Sequence, residues 1–177
     1  MTRFGYVMAA YFAAMATIIT AFIHPQPRLI WNASASVPVG LYRLRPPSSP
    51  KAGELVAVLP PKGLGAYLAE RHYLPRGVPM LKHVAAVAGQ RVCRAGAKIT
   101  VDGKYLGDAR ARDRRGRALP IWDGCRSLST DDIFLMNPDV PDSFDGRYFG
   151  PLPAVTVIGR LLPLWIPRSG AAPKSTR

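Results

Sequence analysis

The sequence predicts a mostly β domain behind one N-terminal apolar helix, and three observations carry that expectation. Residues 4–23 form twenty consecutive positions without a charge. Beyond them, 18 Pro and 16 Gly in 177 residues cut the chain into short pieces and argue against long helices. The pieces between these breaks are apolar runs of roughly four to eight residues, the length of strands. Composition sets the outer bounds: 48% hydrophobic and 20% charged residues describe a globular chain, not a disordered polyelectrolyte.

A helix over residues 4–23 rises about 30 Å, enough to cross the hydrocarbon core of a bilayer. His24, Pro25 and Pro27 then stop it. The run exceeds the apolar core of a usual signal peptide, and the nearest small-x-small pair is Ala33/Ala35, well beyond Ile23. Residues 1–24 are therefore read as a retained anchor, with a removed signal segment as the alternative. Arg3 precedes the run and Arg28, Arg43 and Arg45 follow it, so flanking charge does not fix the orientation. Residues 25–33 read as a linker, 34–166 as the folded domain and 167–177 as a frayed basic tail.

Within the domain, strands are expected at residues 54–59, 80–87, 98–101, 104–106, 133–136 and 155–162. Asp102-Gly103 between the third and fourth is a strong two-residue hairpin signal. Residues 64–73 read as a short helix. Cys93 and Cys125 suit one disulfide in an oxidising compartment, with two buried free thiols as the alternative. They bound a lobe, residues 93–125. Anchor and cysteines together favour the outer side of a bacterial-type inner membrane. Two Cys and three His leave no basis for a zinc cluster, and neither a metal nor a cofactor is expected.

The net charge is +13, and residues 110–117, RARDRRGR, hold five Arg and one Asp between the two cysteines. No aromatic residue alternates with these arginines to stack bases, so no specific nucleic-acid partner is expected. The run reads as a solvated loop on the cysteine-bounded lobe, with anionic-lipid binding as the rival.

Three segments carry candidate chemistry. In residues 32–42, NASASVPVGLY, Pro38 favours an extended backbone around Ser36, a hydroxyl that reads either as a nucleophile or as a turn residue. In residues 80–91, Lys82 interrupts an apolar strand-like run. Burial there would favour the neutral amine, a base able to take a serine proton, whereas an edge position would point it into water. In residues 143–151, SFDGRYFGP, Asp145 and Arg147 fall on one face if the chain is extended, and form either a bracing pair or a surface ion pair.

Together the segments resemble the serine–lysine type I signal peptidase family, most closely its conjugative-transfer branch, the TraF peptidases. The resemblance runs from the anchor through Leu162. It rests on the serine box 36–42, the Gly53-Glu54 turn, the lysine box Leu81-Lys82-His83 leading to Gly89, and the box 143–150. It implies Ser36 as nucleophile and Lys82 as general base. It also implies Ser34 as an oxyanion-hole hydroxyl, Ser143 as the group positioning the amine, and Asp145 and Arg147 as braces. The cysteine-bounded lobe also resembles that branch.

Departures from the general signal peptidases point to the specialised branch. One residue, not two, separates Ser36 from its proline, and Gly89-Gln90 replaces Gly-Asp. Met136-Asn137-Pro138 stands in place of Gly-Asp-Asn, and one anchor replaces two. The implied function is a serine endopeptidase that matures a pilin precursor for conjugative plasmid transfer, by cleavage or by cyclisation. It would be tethered to the periplasmic face of the inner membrane, with a signal-peptidase-like antiparallel β domain. The alternative is a non-catalytic envelope component of a conjugation or secretion channel.

Overall fold

The computed structural model describes residues 3–22 and 28–167. The expected helix stop at His24, Pro25 and Pro27, the adjoining part of the linker and the tail from residue 168 lie outside the described residues. The first element, α1 (Arg3–Phe22), is the apolar helix, long and apolar enough to cross a membrane, with none of its spanning window buried by protein.

The domain runs β1 (Leu29–Asn32), β2 (Gly40–Arg45), β3 (Leu55–Val58), α2 (Lys62–Glu70), β4 (Met80–Ala86), β5 (Arg91–Ala95), β6 (Lys98–Val101), β7 (Lys104–Asp108), β8 (Gly124–Ser127) and β9 (Asp132–Leu135). It closes with α3 (Gly146–Phe149), β10 (Leu152–Pro153), a 3-10 turn over Ala154–Thr156 and β11 (Val157–Trp165). Strand order is β1-β2-β11-β3-β4-β9-β10 in the larger sheet and β7-β6-β5-β8 in the smaller, and the pairings are antiparallel.

Alternation along the central strands builds the core on both faces of the larger sheet. Met80 and Val84 of β4 pack with Val56, Val58, Ile133 and Leu135, beneath Leu68 of α2. Leu81, on the opposite face, packs with Val37, Tyr42, Ala57 and Leu161. Phe134 and Met136 reach across to Val92, Ile99 and Trp122, which joins the smaller sheet to the larger one. Asp102 and Gly103 both take positive φ, 49° and 79°, so the β6–β7 hairpin has the turn that matches strand twist. Cys93 and Cys125 lie opposite each other in β5 and β8 and form a disulfide. Closing that loop removes roughly 3–4 kcal/mol of chain entropy from the unfolded state.

Some boundaries differ from expectation. Residues 29–32, assigned to the linker, form β1, because their backbone pairs with Gly40–Arg43 and Ile30 packs on the Tyr42 core. The last strand starts at Val157 after the 3-10 turn and extends to Trp165. At this end of the sheet Trp31 and Trp165 stack at 5.8 Å, and both are exposed, as are Leu29, Leu162 and Leu164.

Candidate active site

Ser36 lies between β1 and β2 on a turn folded by Asn32. The buried Asn32 amide nitrogen donates to the carbonyls of Ser34 (2.8 Å), Val37 (3.0 Å) and Pro38 (3.0 Å). Gathering three carbonyls onto one side chain bends the chain back on itself. Ser36 is therefore held on a turn, not on the extended segment that Pro38 suggested. Tyr42 of β2 fixes the far end, its hydroxyl donating to the Pro38 carbonyl at 2.6 Å. Gly40 between them has to be glycine, since a Cβ there would run into the Trp165 carbonyl oxygen. The Ser34 hydroxyl donates its one proton to Asn32 Oδ1 (2.8 Å), so the Ser36 hydroxyl, 3.0 Å away, donates to Ser34.

Lys82 shares the Met80–Val84 face of β4 and is 4% exposed. Its Nζ donates to Ser143 Oγ at 2.7 Å. Loss of hydration pushes the amine down to about 8; Asp145 pulls it back up and Arg147 pulls it further down. The expectation of an amine more easily neutralised than usual thus has a structural cause.

Behind the lysine, Asp145 and Arg147 are buried, at 0% and 1% exposure, with an ion pair of 2.8 Å. Asp145 itself is extended, but the chain turns into α3 directly after it, and Asp145 caps that short helix by accepting from the Arg147 N–H. Arg147 Nη2 also reaches the carbonyls of Asn137, Val140 and Ser143, and Nη1 the carbonyl of Asp108. Such satisfaction is what a buried pair needs to offset its lost hydration. Asn137 ties the parts together. Its backbone N–H donates to Asp145, its Oδ1 accepts from the His83 N–H, and its Nδ2 donates to the Ser36 carbonyl at 2.7 Å.

Ser34, Ser36, Lys82 and Ser143 all line one cavity of about 700 Å³. Asp145 and Arg147 stand behind it, and Cys93–Cys125 lies away from it in the smaller sheet. In the structure Ser36 Oγ bonds to Ser34 and Lys82 Nζ to Ser143; the two face the same space without a mutual hydrogen bond. Two strand edges border this space. Ile30–Asn32 belong to the edge strand β1, and Met80–Lys82 have β3 as their ladder neighbour while β9 pairs only from Val84 onward. Among the described residues no group of three His, Cys, Asp or Glu side chains is placed to hold a metal.

The sequence profile of the family described as "Signal peptidase, peptidase S26" matches residues 1–165. The chain belongs to the peptidase S26 signal peptidase family. A relative in Sinorhizobium fredii described as a probable conjugal transfer protein TraF is 38% identical over 117 residues. That match spans 60% of this chain and 61% of the relative, less than two thirds of its length. Among solved structures, a signal peptidase I from Enterococcus faecalis aligns with a TM-score of 0.39 at 16% identity, over 65% of this chain and 98% of that one. The matched residues 1–165 take in the apolar helix and the antiparallel β domain described above.

Sequence reasoning passed over two residues of this S26 site, Asn32 and Asn137. Asn137 enters the sequence reading only as part of Met136-Asn137-Pro138, which stands in place of Gly-Asp-Asn. A polar residue directly after the buried run 133–136 was the available signal. Residues 110–117 read from sequence as a solvated loop, with anionic-lipid binding as the rival, and neither reading places them at the site. Their outer side is exposed as expected, but Arg110, Arg112, Arg114, Arg115 and Arg117 also line the cavity that holds Ser36. The reason is Asp113, which collects the Tyr73 hydroxyl, two loop N–H groups and Arg117, and so folds the loop against α2's end.

Proposed function

We propose that the chain is a serine endopeptidase with Ser36 as nucleophile and Lys82 as general base, maturing a pilin precursor during conjugative transfer. The observation that carries this reading is the Lys82 amine: buried, pushed down to about 8, and opening onto the same cavity as Ser36. The polypeptide substrate lies extended between the free edges of β1 and β4, where its backbone completes the ladders. As it seats, the Ser36 hydroxyl exchanges Ser34 for Lys82 as its hydrogen-bond acceptor. Hydrogen bonds of this kind commonly tighten only in the substrate complex.

Neutral Nζ takes the Ser36 proton while Oγ bonds to the scissile carbonyl carbon. The Ser36 N–H and the Ser34 hydroxyl, which turns its proton from Asn32 Oδ1 to the substrate once Ser36 has left it, hold the developing oxyanion, and each such donor is worth about 10²–10³ in rate. Collapse of the tetrahedral adduct breaks the C–N bond, and the Lys82 ammonium returns the proton to the leaving amine. Water then attacks the acyl-enzyme. An amine of the same pilin attacking in its place gives a cyclic product through the same intermediate. Ser143 orients the amine, and Asn137, Asp145 and Arg147 hold Ser143 and the Ser36 carbonyl in place. The TraF relative supports the conjugative setting. The apolar α1 and the exposed Trp31–Trp165 end of the sheet support tethering to the periplasmic face of the inner membrane.

Co-expression with the pilin precursor of the same conjugative system, followed by mass measurement, tests the reading. Wild type is expected to yield a shortened product, and Ser36→Ala the intact precursor. The rate is expected to fall tenfold per pH unit below about 8, as Lys82 becomes protonated. A precursor left intact by wild type, or a rate still flat below about pH 5, overturns the mechanism.

A further inference from the structure

The cavity that holds Ser36 and Lys82 has a second wall that the proposed chemistry does not use. Six arginines line it, Arg71 and the five of residues 110–117, against two aspartates, Asp113 and Asp142. The aspartates do not cancel them. Asp113 is spent on folding the loop, and the Tyr73 hydroxyl, followed by the Arg117 contacts, holds its carboxyl far below the usual range. Asp142 takes both Arg110 and Arg114. Arg112 and Arg115 are left exposed and outside any ion pair among the described residues, Arg112 donating only to the Gly116 carbonyl.

This wall is built in advance. Arg117 lies 5.1 Å over the Tyr73 ring and Arg71 5.0 Å over Tyr67, and residues 112 and 118 bridge the loop's two arms. Leu68, Phe144 and Tyr148 line the same cavity and make part of its wall apolar. A concave site with a partly apolar wall and fixed guanidinium groups on one side selects an extended chain that brings carboxylates to that side. An ordered, preorganised loop loses little entropy on binding, unlike a free charge run.

From this placement, and building on the peptidase reading, we infer that the 110–117 loop is a specificity wall. It recognises an acidic segment of the substrate polypeptide, flanking the residues that enter the Ser36–Lys82 end. Charge complementarity adds to backbone pairing at the β1 and β4 edges and fixes which stretch of the chain is presented to Ser36. Like-charged flanks are rejected by the same wall.

Binding to full-length Ser36→Ala protein in neutral detergent tests this without turnover. The probes are two pairs of peptides of about twelve residues, carrying a neutral dye and sharing a central Ala-Leu-Ala. One pair has Glu-Asp-Glu or Gln-Asn-Gln before the centre, the other after it. At low salt one acidic member is expected to bind at least about tenfold more tightly than its neutral twin, a ratio that shrinks as salt screens it. Arg112→Gln with Arg115→Gln is expected to bring the ratio to within about twofold of one, and the double Lys variant to restore part of it. Equal binding of both pairs, or a ratio untouched by the Gln variant, overturns the inference. Short-chain phosphatidylglycerol in the micelles tests the rival anion: binding through Arg112 and Arg115 while the peptides stay equal also overturns it. Discrimination in binding without any cleavage by wild type would remove the peptidase reading and leave the wall; cleavage without discrimination would do the reverse.

Discussion

The two walls of the cavity handle charge in opposite ways. At the lysine end every charged group is buried and hydrogen-bonded: Lys82 donates to Ser143, while Asp145 and Arg147 share three hydrogen bonds and reach six further groups. At the arginine end the charges face water and two aspartates organise the loop. Burial makes a charge reactive and costly, while exposure makes it cheap, mobile in its partners and sensitive to salt. The proposed catalysis and the inferred substrate sorting would need these different properties, and both sets of residues line one cavity.

The largest effect is expected where the buried pair is broken. Asp145→Ala leaves Arg147 charged and uncompensated in the interior, and should cost about 3–5 kcal/mol of unfolding free energy by urea titration. A loss under about 1 kcal/mol would erase the contrast between the walls.

A smaller effect of opposite sign is expected at Lys82. Its pKa is depressed to about 8 in the fold, from an unfolded value near 10.5. Below about 8 both states carry the proton and the full cost of burying the charge is felt. Between the two values the unfolded chain binds more protons, so stability rises with pH. Lys82→Met should therefore stabilise the protein at pH 7 by about 1–3 kcal/mol while abolishing processing, and the gain should shrink towards pH 10.5. A destabilised Lys82→Met protein would mean that the Ser143 hydrogen bond outweighs desolvation.

The smallest change is expected at the arginine end. Asp142→Asn removes the ion pairs to Arg110 and Arg114, both exposed, and should shift Tm by less than about 3 °C. Its measurable consequence is a steeper loss of acidic-peptide binding with salt, since two more guanidinium groups become free. A large Tm drop would show that the loop is structural before it is selective.

The parts of this fold that sequence reading recovers are apolar runs buried on both faces of the sheet and a turn with a strict backbone demand. Residues 54–59 and 80–87 contain β3 and β4, and Asp102-Gly103 marks the β6–β7 turn because few residue pairs tolerate two positive φ values. β8, by contrast, reads Gly-Cys-Arg-Ser and is exposed throughout. It is a strand only because β5 and the disulfide lie beside it, which no local pattern records. β1 and β2 escape for a related reason. β2 buries Gly40 and Tyr42, and β1 is a strand by virtue of β2.

The same limit applies to the site. Ser36, Lys82 and the 143–150 box are marked by residue type and company. That Asn32 would bend the serine turn, or that the arginine loop would close over the same cavity, depends on contacts between distant segments. Tyr73 and Asp113, which fold that loop, are forty residues apart.

The Asn137 bond to the Ser36 carbonyl joins positions 101 residues apart. A chain growing on the ribosome makes its serine within the first quarter of its length and the asparagine that braces it only past three quarters. Until β9 docks, nothing spans that gap, and the hydroxyl belongs to an unbraced turn. The brace on Ser36 therefore arrives late, as a property of the finished fold.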